Sequence, residues 1–329
     1  IMPSLVGSEM CIRDRFGQGS KSLGTIVAIS SYASYFWQPI MNLGNIFNNF
    51  INNIAYLERI FETMDEPVTV KDAENAVKMP EIRGEVTFDH VNFSYDESKQ
   101  ILKDVSFTVK PGESVALVGP TGAGKSTIVN LISRFYNVNG GRVLIDGQDI
   151  SQVTIHSLRE QMGIMMQDSF IFSGDIEDNI RYGKLDATRE EIVKASRTVC
   201  ADEFISKMPD RYQTEVRERG SMLSQGQKQL ISFARTLLSD PAILILDEAT
   251  SSIDVQTEKA LQTGLNAMLK GRTSFIIAHR LSTIRNCDKI MYIDNGGIME
   301  SGTHDELMAK KGYYYKLYTA QLDEVQKAG

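Results

Sequence analysis

The chain is poor in several residues that mark function classes. Of its 329 residues only three are cysteines, Cys11, Cys200 and Cys287. They are far apart and form no CxxC pair. Neither a disulfide framework nor a zinc knuckle is expected, and a reducing compartment is the default. An excess of basic charge is missing too. Lys and Arg total 35 against 42 Asp and Glu, so the formal net charge is −7. That argues against nucleic acid held by a broad basic face, and leaves open an anionic ligand bound by local donors. No G-x-G-x-x-G follows a strand-like run, which disfavours a dehydrogenase. No repeat of solenoid length is visible. What remains is an ordinary globular composition, 42 % apolar and 23 % charged, long enough for about two domains.

Charge is also missing from one place in particular. Between Lys21 and Glu58 there is no Asp, Glu, Lys, Arg or His. As one helix this stretch would be ~54 Å long, against ~30 Å for a bilayer core. Its most apolar part, Leu23 to Leu43, is interrupted by Ser30, Ser31, Ser34, Gln38 and Pro39. It reads as a membrane helix with its polar side against other helices, or as a buried soluble helix. Phe47, Phe50, Ile51, Ile54, Leu57 and Phe61 then follow helical spacing. Asn45, Asn48, Asn49, Asn52 and Asn53 form a second stripe, read as a solvated face. Ser4 to Arg15 is similar to translated adapter sequence, so residues 1–15 are read as a non-native start. The chain is then a fragment with membrane sequence upstream. A secretory signal does not fit this start.

Residues 16–66 are thus read as a last transmembrane helix with a cytosolic extension. Pro67 ends that helix. Residues 67–83 read as a polar linker. From Gly84 the pattern shifts to strand-like runs, Val86–Phe93 and Leu102–Val109, and then to strands alternating with helices, as in an α/β domain.

The apolar run Ser114–Val118 leads into Gly119-Pro120-Thr121-Gly122-Ala123-Gly124-Lys125-Ser126-Thr127. This matches G-x-x-x-x-G-K-[ST] in full, and apolar residues at helical spacing follow. Strand, glycine loop and helix stand in the order that phosphate binding requires. Glycines let backbone N–H groups wrap an anion, and the helix N-terminus faces it. Lys125 is suited to the β- and γ-phosphates and Ser126 to Mg²⁺. A second run, Ala242–Leu246, ends in Asp247 and Glu248. It reads as a buried parallel strand with acids at its ligand-binding edge. There Asp247 would hold Mg²⁺ and Glu248 would orient or deprotonate an attacking water.

With Leu223-Ser224-Gln225-Gly226-Gln227 just ahead of that strand, residues 84–322 resemble the nucleotide-binding domain of ATP-binding cassette (ABC) transporters. Residues 23–66 resemble the last transmembrane helix and linker of an exporter-type half-transporter. The resemblance implies an α/β P-loop fold of ABC type, with a mixed sheet core, an antiparallel β subdomain, a helical subdomain over about 168–233 and a tail over 323–329. It implies that Tyr95 stacks on adenine and that Gln167 touches Mg²⁺ and water. Ser224, Gly226 and Gln227 would meet ATP held by the other subunit. Asp254 would join the two sites, and His279 would contact the γ-phosphate. Catalytic roles thus fall on Glu248, His279, Gln167 and Lys125, with ATP and Mg²⁺ bound. His90, His156 and His304 match no motif. Tyr313, Tyr314 and Tyr315 are assigned to packing.

Two departures stand out. Gln225 replaces the usual first glycine of the signature, where a side chain tolerates φ > 0 less well. Arg217 stands where the family commonly has glycine. Gln225 suggests that this is the competent half of a heterodimeric exporter in the cytoplasmic membrane, its nucleotide domain on the cytosolic side, moving a small molecule or lipid. A homodimer is the alternative on assembly. On function, the alternatives are a soluble cassette ATPase and a regulatory module without hydrolysis.

Overall fold

Two units divide the chain, residues 1–68 and 69–329. The computed structural model describes residues 23–96, 99–166, 170–247, 255–278 and 280–328. The start over residues 1–15 and the candidate residues Gln167, Glu248, Asp254 and His279 lie outside the described residues.

Among its described residues the first unit forms one helix, α1 (Leu23–Met64), of 42 residues. It runs through Pro39, which has no N–H to return to the carbonyl of Tyr35. It stops just before Asp65-Glu66-Pro67, as the sequence predicts. At ~63 Å its length exceeds a bilayer core. The serines, glutamine and asparagines along it dilute its apolar content, and among the described residues no helix is long and apolar enough to cross a membrane.

In the second unit, β1 (Val86–Ser94) and β2 (Gln100–Val109) pair antiparallel. Strand β3 (Ser114–Val118) runs into α2 (Lys125–Ile132). There follow β4 (Gly140–Ile145), β5 (Gln148–Asp149), α3 (Ile155–Arg159) and β6 (Met162–Met165). A helical section comes next, with β7 (Gly174–Asp175), α4 (Ile176–Arg181), α5 (Arg189–Thr198), α6 (Asp202–Ile205), β8 (Glu215–Val216) and α7 (Gln225–Leu238). The chain then returns through β9 (Ile243–Asp247), α8 (Val255–Leu269), β10 (Thr273–Ile277) and α9 (Leu281–Arg285). It ends with β11 (Lys289–Asp294), β12 (Gly297–Gly302), α10 (His304–Lys310) and α11 (Tyr313–Ala328).

The central sheet has the order β12-β11-β3-β10-β9-β6. All its pairs are parallel except β11 with β12. A second, antiparallel sheet runs β2-β1-β4-β5. Period-2 alternation divides the core between the two faces of the central sheet. Val115, Leu117, Ile245, Phe275 and Met291 pack with α2 and the antiparallel sheet. Their neighbours Ala116, Val118, Leu246, Ile276 and Ile290 pack with the helical section. A strand buried on both faces must be apolar throughout, which is why these runs are unbroken in sequence.

The stretch read as a linker is docked on this unit. Met79 and Ile82 are buried. Their backbone N–H groups donate to Ser157 Oγ and Gln161 Oε1, each at 2.8 Å. Val77 bridges Val153. The buried Arg134 guanidinium reaches the carbonyls of Lys71 (3.0 Å) and Val153 (2.6 Å). Asp146 accepts from the N–H groups of Arg83, Gly84 and Glu85 at 2.6, 3.2 and 2.9 Å.

Candidate nucleotide site

The glycine loop joins β3 to α2, and its glycines have separate jobs. Gly119 has φ +137°, and a Cβ there would lie 2.1 Å from the Ile293 carbonyl oxygen of β11. Gly124, at φ +106°, is the N-cap of α2, and a Cβ there would meet Leu102 at 2.8 Å. Backbone closes the Gly119 position to any other residue, and at Gly124 the left-handed φ is the main obstacle. Gly122, at φ +80°, faces open space. Pro120, Thr121 and Ala123 complete the loop. The first-turn N–H groups of α2 have no partner within the helix and present a positive end to an anion.

Lys125 is buried, and its Nζ donates to the carbonyls of Gly119 and Pro120, each at 2.8 Å. An ammonium has three N–H donors, so these contacts leave one for a phosphate oxygen. Burial pushes this ammonium below its ordinary range, and Asp247 acts in the opposite direction. The sheet register explains that pairing. Ile277 of β10 lies level with both Leu117 of β3 and Asp247 of β9. The end of β3 and Asp247 therefore share one sheet edge, about 10 Å apart across two strand spacings. Ser126 is exposed on the first turn of α2 and Thr127 is buried.

Tyr95 follows β1. Its hydroxyl lies 3.1 Å from that of Thr127. Its ring meets Phe93 and Tyr136 edge to face, at 4.8 and 4.9 Å between centroids. It is 49 % exposed, which leaves ring surface for a base. Tyr136 was not singled out in sequence. Its only signal was an aromatic pair just after α2.

Ser224 is the N-cap of α7. Its Oγ accepts from the Gln227 N–H (3.2 Å), and Gln227 Oε1 accepts from the Ser224 N–H (2.9 Å). The signature thus forms a capping box. Gly226 is buried in the first turn. Gln225 is the first helical residue and is absent from the positive-φ positions, so this site does not require glycine backbone. Arg217 is likewise extended (φ −69°, ψ 171°), and the left-handed residues nearby are Arg219 and Gly220. The backbone objection to Gln225 falls away, and Arg217 likewise sits on backbone open to any residue. Among the described residues no hydrogen bond joins Ser224, Gly226 or Gln227 to the glycine loop, so they form a separate surface.

The donor set suits Mg²⁺ held mainly by phosphate and water. One carboxylate, Asp247, and one hydroxyl, Ser126, serve this edge. Among the described residues no cluster of three or more His, Cys, Asp or Glu side chains could hold a metal alone. Mg²⁺ in nucleotide sites is bound in that sparse way.

A glycine cradle between β3 and α2, with an acid ending a nearby parallel strand, defines a P-loop nucleotide-binding domain. Residues 102–251 match the family described as ABC transporter. The chain carries the ATP-binding domain of that family, whose domains bind ATP. It is 53 % identical over 300 residues to an uncharacterized ABC transporter ATP-binding protein, YknV, of Bacillus subtilis, covering 91 % of this chain and 50 % of that protein. It is 45 % identical over 302 residues to a fatty acid ABC transporter ATP-binding/permease protein of Mycobacterium bovis, covering 92 % and 48 %. A solved structure of a bacterial Atm1-family ABC exporter with ATP bound superposes with a TM-score of 0.75 at 40 % identity, covering 96 % of this chain and 55 % of that one. The chain spans about half the length of the curated relatives it matches.

Proposed function

We propose that the chain is the ATP-binding and ATP-hydrolysing part of an ABC-type membrane exporter. Phosphate oxygens lie against backbone N–H groups of the loop from Thr121 to Thr127, and Lys125 adds an ammonium. Ser126, Asp247 and Gln167 would hold Mg²⁺, which would supply neutralisation of phosphate charge. Tyr95 takes the adenine on its ring face. Glu248 aligns the attacking water and accepts its proton, and His279 contacts the γ-phosphate. Little covalent work is asked of these groups, since positioning and charge dominate phosphoryl transfer.

Two such domains sandwich two nucleotides. Ser224, Gly226 and Gln227 face the nucleotide of the partner, and Asp254 lies between the sites. ATP closes the pair and hydrolysis loosens it, which drives the membrane helices. Relatives named as permeases favour the exporter over a soluble ATPase. The partner is a second half-transporter, with Gln225 in the signature as the mark of a heterodimer. The cargo is a small molecule or lipid, the membrane is the cytoplasmic one, and the domain lies on its cytosolic side.

The observation that carries this reading is a desolvated Lys125 sharing one sheet edge with Asp247. Glu248→Gln tests it. Mg²⁺-ATP binding should persist, while phosphate release slows by at least about 10²-fold, the lower size of a general-base effect. Unchanged turnover would remove Glu248 from its role. A wild-type protein that releases no phosphate, even with its partner subunit, would remove hydrolysis altogether.

A further inference from the structure

Arg235 lies on α7, about 16 Å along the helix from Ser224. Its guanidinium turns toward the segment that follows Gln167. Nε donates to the Asn179 carbonyl at 2.7 Å, Nη1 to the Phe170 carbonyl at 2.9 Å and Nη2 to Asn179 Oδ1 at 3.0 Å. Its carbon lies 5.5 Å from the Phe172 ring centroid and 5.9 Å from that of Tyr182. These three acceptors are carbonyl and amide oxygens, and all belong to residues 170–179. Asn179 is 2 % exposed and completes the clamp. Its Nδ2 donates to the carbonyls of Phe172 and Asp175, and its Oδ1 accepts from the Phe172 N–H, all at 2.9 Å. At Gly183 a Cβ would meet the Arg235 carbonyl oxygen at 2.0 Å, so backbone lies directly against backbone there.

An arginine that serves only solubility extends into water. This one gives up part of its hydration to fix the backbone of a single segment, and each of its three nitrogens donates to that segment. The segment begins at Phe170, three residues after Gln167. The helix that holds it is capped by Ser224. Sliding one past the other breaks three hydrogen bonds and two ring contacts together.

We propose that Arg235 is a positioning residue that makes residues 170–183 and α7 one mechanical unit, so that displacement of Gln167 by the terminal phosphate is delivered to Ser224. This rests on the nucleotide reading above. Arg235 touches no reacting atom. It sets the phase between the loop that senses ATP in one site and the helix end that meets ATP in the other.

Arg235→Lys in the full chain is the test. Lysine keeps the charge and stem but cannot span three acceptors in a fork. Binding of a fluorescent ATP analogue with Mg²⁺ and the melting temperature should stay at wild-type values. The kcat for phosphate release should fall by about tenfold, the scale of misplacement without loss of binding. Asn179→Ala added to it should cost little more, since both act on one clamp. An unchanged kcat overturns the proposal, and so does a kcat that falls only in step with affinity or melting temperature. A second measurement needs no variant. On adding Mg²⁺-ATP to the wild-type protein, amide exchange in residues 170–182 and 224–228 should change at the same nucleotide concentration. Independent responses overturn the coupling. A wild-type protein that binds nucleotide without hydrolysing it would sink the enzymatic reading and leave the exchange result to judge this one.

Discussion

The hydroxyls of Tyr95 and Thr127 lie 3.1 Å apart, joining the end of the antiparallel sheet to the first turn of the glycine-loop helix. A residue assigned to the base and a residue of the phosphate loop are therefore set by one contact. The two ends of a nucleotide would be gauged against a single rigid span.

That contact separates two substitutions. Tyr95→Phe keeps the ring and removes the hydroxyl, leaving buried Thr127 short of a partner at a cost of about 1 kcal/mol. It should lower the urea midpoint slightly and leave ATP affinity close to wild type. Tyr95→Ala removes the platform and should weaken ATP on the order of tenfold, within the range for base–aromatic stacking. Titration calorimetry reads both. Equal affinity for the two variants would show that the ring does not carry the base.

Lys125→Ala should weaken ATP binding about 10- to 150-fold by calorimetry, since a charge-assisted contact of roughly 1.5–3 kcal/mol is lost. The same variant should melt no lower than wild type without nucleotide, because burial already disfavours the ammonium. Retained affinity would count against the phosphate contact. A large fall in melting temperature would make Lys125 a structural residue first.

Two glycines of the loop should differ sharply on mutation to alanine. At Gly119 the new methyl would sit 2.1 Å from a carbonyl oxygen at φ +137°. Gly119→Ala should cost several kcal/mol, at about 3 or more, and lose nucleotide binding with it. At Gly122 nothing lies within 4 Å, so only the left-handed backbone is penalised. Gly122→Ala should cost about 1 kcal/mol. Denaturant midpoints rank the pair, and a reversed order would contradict the loop geometry.

The glycine loop and its flanks were legible in sequence because function there needs particular residue types at fixed spacing. Ser114–Val118 and the run ending in Asp247 were legible because strands buried on both faces must be apolar throughout. The capping box at Ser224 and Gln227 could be read as a signature but not as a helix start, since family resemblance speaks of ligand and not of backbone. Arg235 and Asn179 gave no signal. An arginine in an amphipathic helix reads as a solvated face, and only tertiary packing shows that this one turns inward. Tyr136 was hidden for the same reason.

The stretch 67–83 reads in sequence as a tether because Met79 and Ile82 stand in a polar setting. Their burial bears on how the ATPase can be prepared for study. A recombinant piece cut at Gly84 would strip two plugs from the surface of the fold, take the Lys71 carbonyl from Arg134 and remove one of the three N–H donors to Asp146. A piece cut at Thr69 keeps that cover, and should be the soluble, monodisperse one of the two.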